Sequence, residues 1–272
     1  MLTIQNFNLT NTKSSFQLDQ SMDEFTRSLD PGLFTTFITL QNRSRVIGLK
    51  KHLSRLNDGT EDVLFDEILR NKLKRYLDLF VGNEEIKVRV VSIRKADETD
   101  LYFIGEPYIP IDPDYLENGI VVNLSMVIRE TPGMKSTAYI SKSNDERNEN
   151  LKLGVYESLI VKNNLIREGF TSNVYFIKDQ KLITAARNIL SGVTRKVILT
   201  IARQKGIPIE YRSLRIGELQ SATEAFISSS SRGVVPIKSI VGYEFKGKGR
   251  GDITKLIQDQ YFRNIFDLSE RI

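Results

Sequence analysis

The chain has 272 residues, 40% of them hydrophobic, with 39 Lys and Arg against 34 Asp and Glu and a formal net charge of +5. It contains no cysteine and a single histidine, His52. This excludes disulfides, thiolate metal sites and cysteine nucleophiles, and argues against zinc catalysis or a serine–histidine triad.

Any chemistry must therefore use lysine, carboxylates, tyrosine, hydroxyls or a cofactor, and no metal is expected. The length allows one large domain or two modest ones. No apolar run approaches ~18–20 residues, so no membrane span is expected. The start Met1-Leu2-Thr3-Ile4-Gln5-Asn6 shows no secretory signal, and a cytoplasmic protein is the expectation. Basic residues are interleaved with acidic ones, as in Asp145-Glu146-Arg147. Such scattered charge suits a small anionic substrate rather than a nucleic acid.

Along the chain, residues 34–40 form a β-branched and aromatic run, and 46–49 continue it after the polar turn Gln41-Asn42-Arg43-Ser44, which predicts two strands. A short helix carrying His52, Arg55 and Leu56 follows. Over 61–80, Val63, Leu64, Ile68, Leu69, Leu73, Tyr76, Leu77 and Phe80 fall on one stripe with Gly82 as the stop, which predicts an amphipathic helix. Strands are expected at 86–93 and 101–104. Pro107, Pro110 and Pro113 punctuate the next stretch, and Asp112-Pro113-Asp114 reads as a linker. Two domains are expected, a smaller one over 1–115 and a larger one over 116–272.

The second part resumes with a strand at 120–127, a turn at Thr131-Pro132-Gly133 and a polar helix over 140–153. Strands at 157–161, 173–177 and 181–184 lead to a helix over 194–205. There Val197, Ile198, Ile201 and Ala202 recur at helical spacing, and Gly206 stands where a terminating glycine belongs. Short strands at 210–213 and 225–228 flank a helix near 214–221. A strand at 237–243 and a helix at 253–266 complete the reading. The class is mixed α/β (α+β).

The stretch Arg187-Asn188-Ile189-Leu190-Ser191-Gly192-Val193-Thr194-Arg195 reads as a loop that opens directly into the helix. Backbone N–H groups at Val193 and Thr194, the helix dipole and the threonine hydroxyl would converge there on an anion, best a phosphate. Taken alone, such a start is more often a capped helix. Four other segments carry candidate chemistry. They are Arg55 in His52-Leu53-Ser54-Arg55-Leu56, Lys135 after a Pro-Gly turn, Glu168 in Arg167-Glu168-Gly169-Phe170, and the serines at 228–231 before Arg232-Gly233-Val234-Val235-Pro236. Singly, each has an ordinary reading as a solvated side chain, a turn residue or a flexible loop.

Together, and in this order, these segments resemble the class IV aminotransferase family, the pyridoxal-phosphate enzymes of fold type IV, over about residues 21–240. The resemblance implies a homodimer with pyridoxal 5'-phosphate as cofactor, held at the interface of two domains. Lys135 matches the lysine that forms an imine with the cofactor aldehyde, a bond that only a primary amine can offer for exchange with substrate amines. Glu168 matches the carboxylate that pairs with the pyridine nitrogen. Arg55 matches the phosphate-clamping arginine, Val193 and Thr194 the helix-start donors, and Leu190 the residue packed on the ring. Ser230 and Ser231 lie where hydroxyls complete the phosphate cup.

Within the family, Gly32-Leu33-Phe34-Thr35-Thr36 and Arg232-Gly233-Val234-Val235-Pro236 look like the 4-amino-4-deoxychorismate lyases. These make 4-aminobenzoate and pyruvate for folate biosynthesis. A lyase is accordingly the leading expectation, with Phe34, Thr36, Arg94 and Arg232 as candidate substrate residues. Lys135-Ser136-Thr137-Ala138-Tyr139 lacks the continuation common in those lyases. A transaminase of D-amino or branched-chain amino acids stays open as the alternative.

Overall fold

The computed structural model describes residues 1–8, 11–57, 63–96 and 98–272. The chain divides into two compact units. One is Met1–Ile109 with Met134–Ser141 and Phe266–Ile272; the other is Pro110–Gly133 with Lys142–Ile265. A single cut near residue 115 does not describe this division, because the chain returns twice to the first unit. Ser136 bridges to Leu33, and Ser269–Arg271 pairs with Arg45–Ile47.

The first unit contains strands β1 (Leu2–Phe7), β2 (Thr12–Leu18), β3 (Leu33–Ile38), β4 (Arg45–Ile47), β5 (Ile86–Arg94) and β6 (Thr99–Pro107). Its helices are α1 (Met22–Ser28), α2 (Leu49–Ser54) and α3 (Val63–Leu77). Residues 61 and 62, expected to open α3, lie outside the described residues. Five strands form an antiparallel sheet in the order β2-β1-β6-β5-β3. Alternation along β3 sends successive side chains to opposite faces. Phe34 packs with Met22, Phe25, Val91 and Ile104, whereas Phe37 packs with Leu53, Leu69, Leu73 and Val88. Of the stripe read from the sequence, Leu69, Leu73, Tyr76 and Leu77 are buried, while the side chains of Val63 and Leu64 lie outside those described.

The second unit comprises α4 (Pro113–Glu117), β7 (Ile120–Ser125), α5 (Ala138–Lys152), β8 (Glu157–Lys162), β9 (Leu165–Gly169), β10 (Asn173–Lys178) and β11 (Lys181–Thr184). It continues with α6 (Val193–Gln204), β12 (Ile209–Tyr211), β13 (Leu214–Arg215), β14 (Glu224–Ser229), β15 (Gly233–Ile240) and α7 (Asp252–Arg263). The first turn of α5 belongs to the first unit, as does β16 (Ser269–Arg271), the strand paired with β4. Nine strands form one mixed sheet in the order β12-β11-β10-β14-β15-β7-β8-β9-β13. Val122, Leu159, Val174, Phe176, Ile227 and Val235 are in its core.

Residues 112–114 are a helix start rather than a linker. The Asp112 side chain caps α4 by accepting from the Asp114 N–H at 2.9 Å, with Pro113 in the first turn. The helix expected near 214–221 is a short strand followed by a 3-10 turn at Ile216–Ser221. Helix α6 buries Val193, Ile198, Leu199, Ile201 and Ala202, each large apolar side chain contributing about 1.5–3 kcal/mol. It ends as its sequence predicts. Gly206, at φ +69°, donates to the Arg203 carbonyl while the Ile207 N–H reaches the Ala202 carbonyl at 2.9 Å. No helix among the described residues is long and apolar enough to cross a membrane.

Candidate active site

In the first unit, Lys135 is held by its backbone against the start of β3. Its carbonyl accepts from the Phe34 N–H at 2.8 Å, and the Thr137 N–H donates to the Gly32 carbonyl at 2.9 Å. The Thr137 hydroxyl accepts in return from the Gly32 N–H at 2.9 Å. The main chain on both sides of the lysine is therefore fixed. Its Nζ lies 5.0 Å from the centre of the Phe34 ring, and the Arg89 guanidinium lies 4.9 Å from the same ring. Arg89 is itself buried, paired with Asp23 at 2.7 Å and donating to the Thr36 hydroxyl at 3.2 Å. Phe34, Thr36, Lys135 and Arg89 thus share one face of the sheet.

The opposite face of β3 carries Thr35 and Phe37. The Thr35 hydroxyl is 2.5 Å from His52 Nδ1, and the Phe37 ring is 5.2 Å from the imidazole. Burial, followed by the charges of Arg55, Lys135 and Lys51, holds the His52 pKa well below the usual histidine value. The imidazole is therefore neutral, and it senses Arg55 and Lys135 together, two cations 80 residues apart in sequence. Arg55 stands half-buried at the end of α2. Arg94 lies exposed at the end of β5 and donates to the Asn57 side chain at 3.0 Å.

In the second unit, Glu168 near the end of β9 is 2% exposed. One carboxylate oxygen is 3.2 Å from Arg129 Nε and the other accepts from the Leu190 N–H at 2.9 Å. Arg129, also buried, donates to the Phe170 carbonyl at 3.0 Å. A buried carboxylate beside a buried guanidinium avoids the large cost of an isolated interior charge.

The loop from Ala185 to Gly192 is pinned at three points. Arg195 donates to the Ala185 carbonyl at 2.7 Å, Asn173 donates to the Leu190 carbonyl at 2.9 Å, and Glu168 holds the Leu190 N–H. Gly192 is required by close approach, because a Cβ there would stand 2.2 Å from the Asn173 side-chain oxygen. No side chain caps the start of α6. The Thr194 hydroxyl is buried at that start, 2% exposed, with no hydrogen-bond partner among the described residues. A buried hydroxyl left in this state is costly unless a ligand completes it. Asn173 is also the cross-strand neighbour of Ser228, so the serine run and the Leu190–Thr194 loop meet at the same end of the sheet. Ser230 and Ser231 form the turn between β14 and β15.

The structure thus brings Phe34, Thr36 and Lys135 together in one unit, and Glu168, Leu190 and the α6 start in the other. Sequence reasoning missed Arg129, Asn173 and Arg89. Only the rule that a buried carboxylate needs a cation pointed toward Arg129, and that rule does not choose among arginines. Arg232, expected as a substrate residue, is bonded inside the protein to Glu157, Thr171 and Ser229.

Comparison with known proteins decides the family. The model of the class IV amino-transferases matches residues 32–240. The chain belongs to the class IV aminotransferase family. It is 28% identical over 264 residues to a probable branched-chain-amino-acid aminotransferase of Thermotoga maritima, covering 89% of this chain and 93% of that one. It is 36% identical to a D-alanine aminotransferase of Staphylococcus epidermidis, over 117 residues that make up 42% of each chain. A crystal structure from Thermotoga maritima carrying a similar provisional branched-chain name superposes with a TM-score of 0.76 at 26% identity, over 97% of this chain and 95% of that one. The branched-chain aminotransferase of Thermoproteus uzoniensis gives a TM-score of 0.79 at 20% identity over 99% of both chains, which shows the shared fold.

The enzymes of this family use pyridoxal 5'-phosphate, and it is the cofactor of this chain. Each unit offers features of the kind this cofactor calls for: the first an anchored primary amine, the second a buried carboxylate with its counter-cation and a helix start whose threonine hydroxyl has no partner among the described residues. The aminotransferase names of these relatives overturn the expectation of an aminodeoxychorismate lyase in folate synthesis. The two lyase-like segments have local explanations. Phe34 is the ring beside Lys135, and the Arg232 charge is already met by Glu157.

Proposed function

We propose that the protein is a transaminase of branched-chain amino acids. The apolar Phe34 ring beside Lys135 Nζ carries this reading, since it places a hydrophobic wall next to the amine that exchanges with substrate. The nearby Arg89 has its charge answered by Asp23, so it does not favour an acidic side chain. When bound, the cofactor supplies an aldehyde and an electron-accepting ring. Lys135 would hold that aldehyde through its primary amine, would give way to the substrate amine, and would then carry at its Nζ the proton that the substrate α-carbon loses. Glu168, steadied by Arg129 and the Leu190 N–H, would balance positive charge on the ring nitrogen. Leu190 would lie against the ring. Arg55, the Val193 and Thr194 donors, Ser230 and Ser231 would hold the phosphate. The reading includes a homodimer, the assembly typical of the family.

The test is amino transfer to 2-oxoglutarate from L-leucine, L-isoleucine, L-valine and D-alanine. The branched-chain L-amino acids should exceed D-alanine in kcat/KM by at least about tenfold. The higher identity of the shorter D-alanine aminotransferase matches supports a second reading. Rapid turnover of D-alanine with L-leucine inert would establish it, and inactivity toward all four would remove both.

Arg55→Ala should weaken cofactor binding by about tenfold to a hundredfold, the loss of one charge-assisted contact. Equilibrium dialysis reads this directly. Unchanged retention would return Arg55 to the ordinary surface of its helix.

A further inference from the structure

Glu157, the first residue of β8, is 4% exposed and gathers donors from two loops. One carboxylate oxygen accepts from the Thr171 hydroxyl at 2.6 Å, the Thr171 N–H at 3.3 Å, the Ser172 hydroxyl at 3.0 Å and Arg232 Nη2 at 3.2 Å. The other accepts from the Ser158 N–H at 3.2 Å. Arg232 is as fully engaged. Its Nε donates to the Ser229 hydroxyl at 2.9 Å and its Nη2 reaches the Thr171 hydroxyl at 2.6 Å and carbonyl at 3.1 Å. The guanidinium lies 5.6 Å from the centre of the Tyr156 ring.

Residues 230–232 turn between β14 and β15 without a strand partner, so side-chain contacts must fix where the turn sits. Arg232 closes that turn onto Ser229 and carries it to Thr171, three residues beyond Glu168. Between these, the Phe170 carbonyl accepts from Arg129, which is paired with Glu168. One run of contacts therefore joins Glu168 to the serine turn through Arg129, Phe170, Thr171 and Arg232.

We infer that Arg232 is a positioning residue that locks the Ser230–Ser231 turn to the loop after Glu168, with Glu157 as its counter-ion, and is not a receptor for substrate. The inference rests on the reading of that turn as part of the phosphate cup. The fork matters because Nε reaches Ser229 while Nη2 reaches Thr171 and Glu157, contacts that a lysine would have to make from one ammonium. With its charge met by Glu157, Arg232 offers no excess charge to select an acidic substrate.

The experiment measures binding of pyridoxal 5'-phosphate, and of pyridoxal lacking the phosphate, to the 272-residue chain stripped of cofactor. Arg232→Gln should fold, because Glu157 keeps the Thr171, Ser172 and Ser158 donors. It should weaken binding of the phosphorylated cofactor about tenfold and leave pyridoxal unchanged. Glu157→Gln should do the same, and the double variant should be no more than about twofold weaker than either single one, because both remove one coupling. Arg232→Lys should not restore affinity. If Arg232→Gln fails to fold, Ser229→Ala removes the Nε anchor without burying a charge and should weaken binding about threefold.

A wild-type cofactor affinity in Arg232→Gln, with KM raised for acidic amino acids only, would make Arg232 a substrate receptor and overturn the inference. The variant carrying Ser230→Ala and Ser231→Ala separates the two failures. If it binds phosphate weakly while Arg232→Gln binds normally, the inference alone falls. If it binds like the wild type, the turn is not a phosphate site and the reading beneath the inference falls too.

Discussion

Lys135→Arg should give a folded protein whose turnover is lower by more than about a thousandfold. The fold should survive because the main chain at position 135 is anchored by its own carbonyl and by Thr137, and both anchors are independent of the side chain at 135. Arginine also keeps a cation near the Phe34 ring, so the melting temperature should move by no more than about 2 °C. The chemistry should not survive. A guanidinium stays protonated in proteins, so it can neither bond an aldehyde nor carry the α-proton of the substrate. Borohydride reduction of the wild-type holoenzyme should leave the cofactor's mass on the Lys135 peptide, and the variant should lose both this label and the visible absorbance. Label on any other lysine peptide of the wild type would remove Lys135 from the centre of the site.

The parts of the molecule legible in the sequence are those whose signals are local. Helix α6 announces itself by Val197, Ile198, Ile201 and Ala202 at helical spacing and by Gly206, and it ends at that glycine as a 3.6-residue period and a left-handed stop require. Strands β10 and β11 are short apolar runs bounded by turn residues and fall where expected. Strand β2, Thr12–Leu18, leaves no signal in the sequence because it is an exposed sheet edge with no buried face to impose alternation. Helix α1 is only seven residues long, too short to show a period, although the Ser21 and Glu24 capping box marks its start. At the site, the residue types were legible but their pairings were not. Arg129 reaches Glu168 from 39 residues away and Arg232 reaches Glu157 from 75, distances over which no pattern in the chain reports contact. The expectation of Arg232 as a substrate residue arises from that gap, since a cation looks available until its counter-ion is seen.

Glu168→Gln should lower turnover by about a hundredfold or more while Lys135 still captures the cofactor. The amide can still accept from the Leu190 N–H through its oxygen, so the loop from Ala185 to Gly192 keeps that contact along with those made by Asn173 and Arg195. It cannot supply the negative charge that a protonated ring nitrogen needs, and the ring then accepts electrons from the substrate α-carbon less readily. A second consequence separates this role from a purely structural one. The substitution leaves the buried Arg129 guanidinium without its carboxylate, and breaking such a pair typically costs about 3–5 kcal/mol. Melting should therefore fall by roughly 6 °C or more. Adding Arg129→Gln removes the stranded charge and should recover part of that stability, yet it cannot recover turnover. Activity that rises together with stability in the double variant, or an Glu168→Gln enzyme within about threefold of wild-type rate, would show that the carboxylate serves the fold and not the ring.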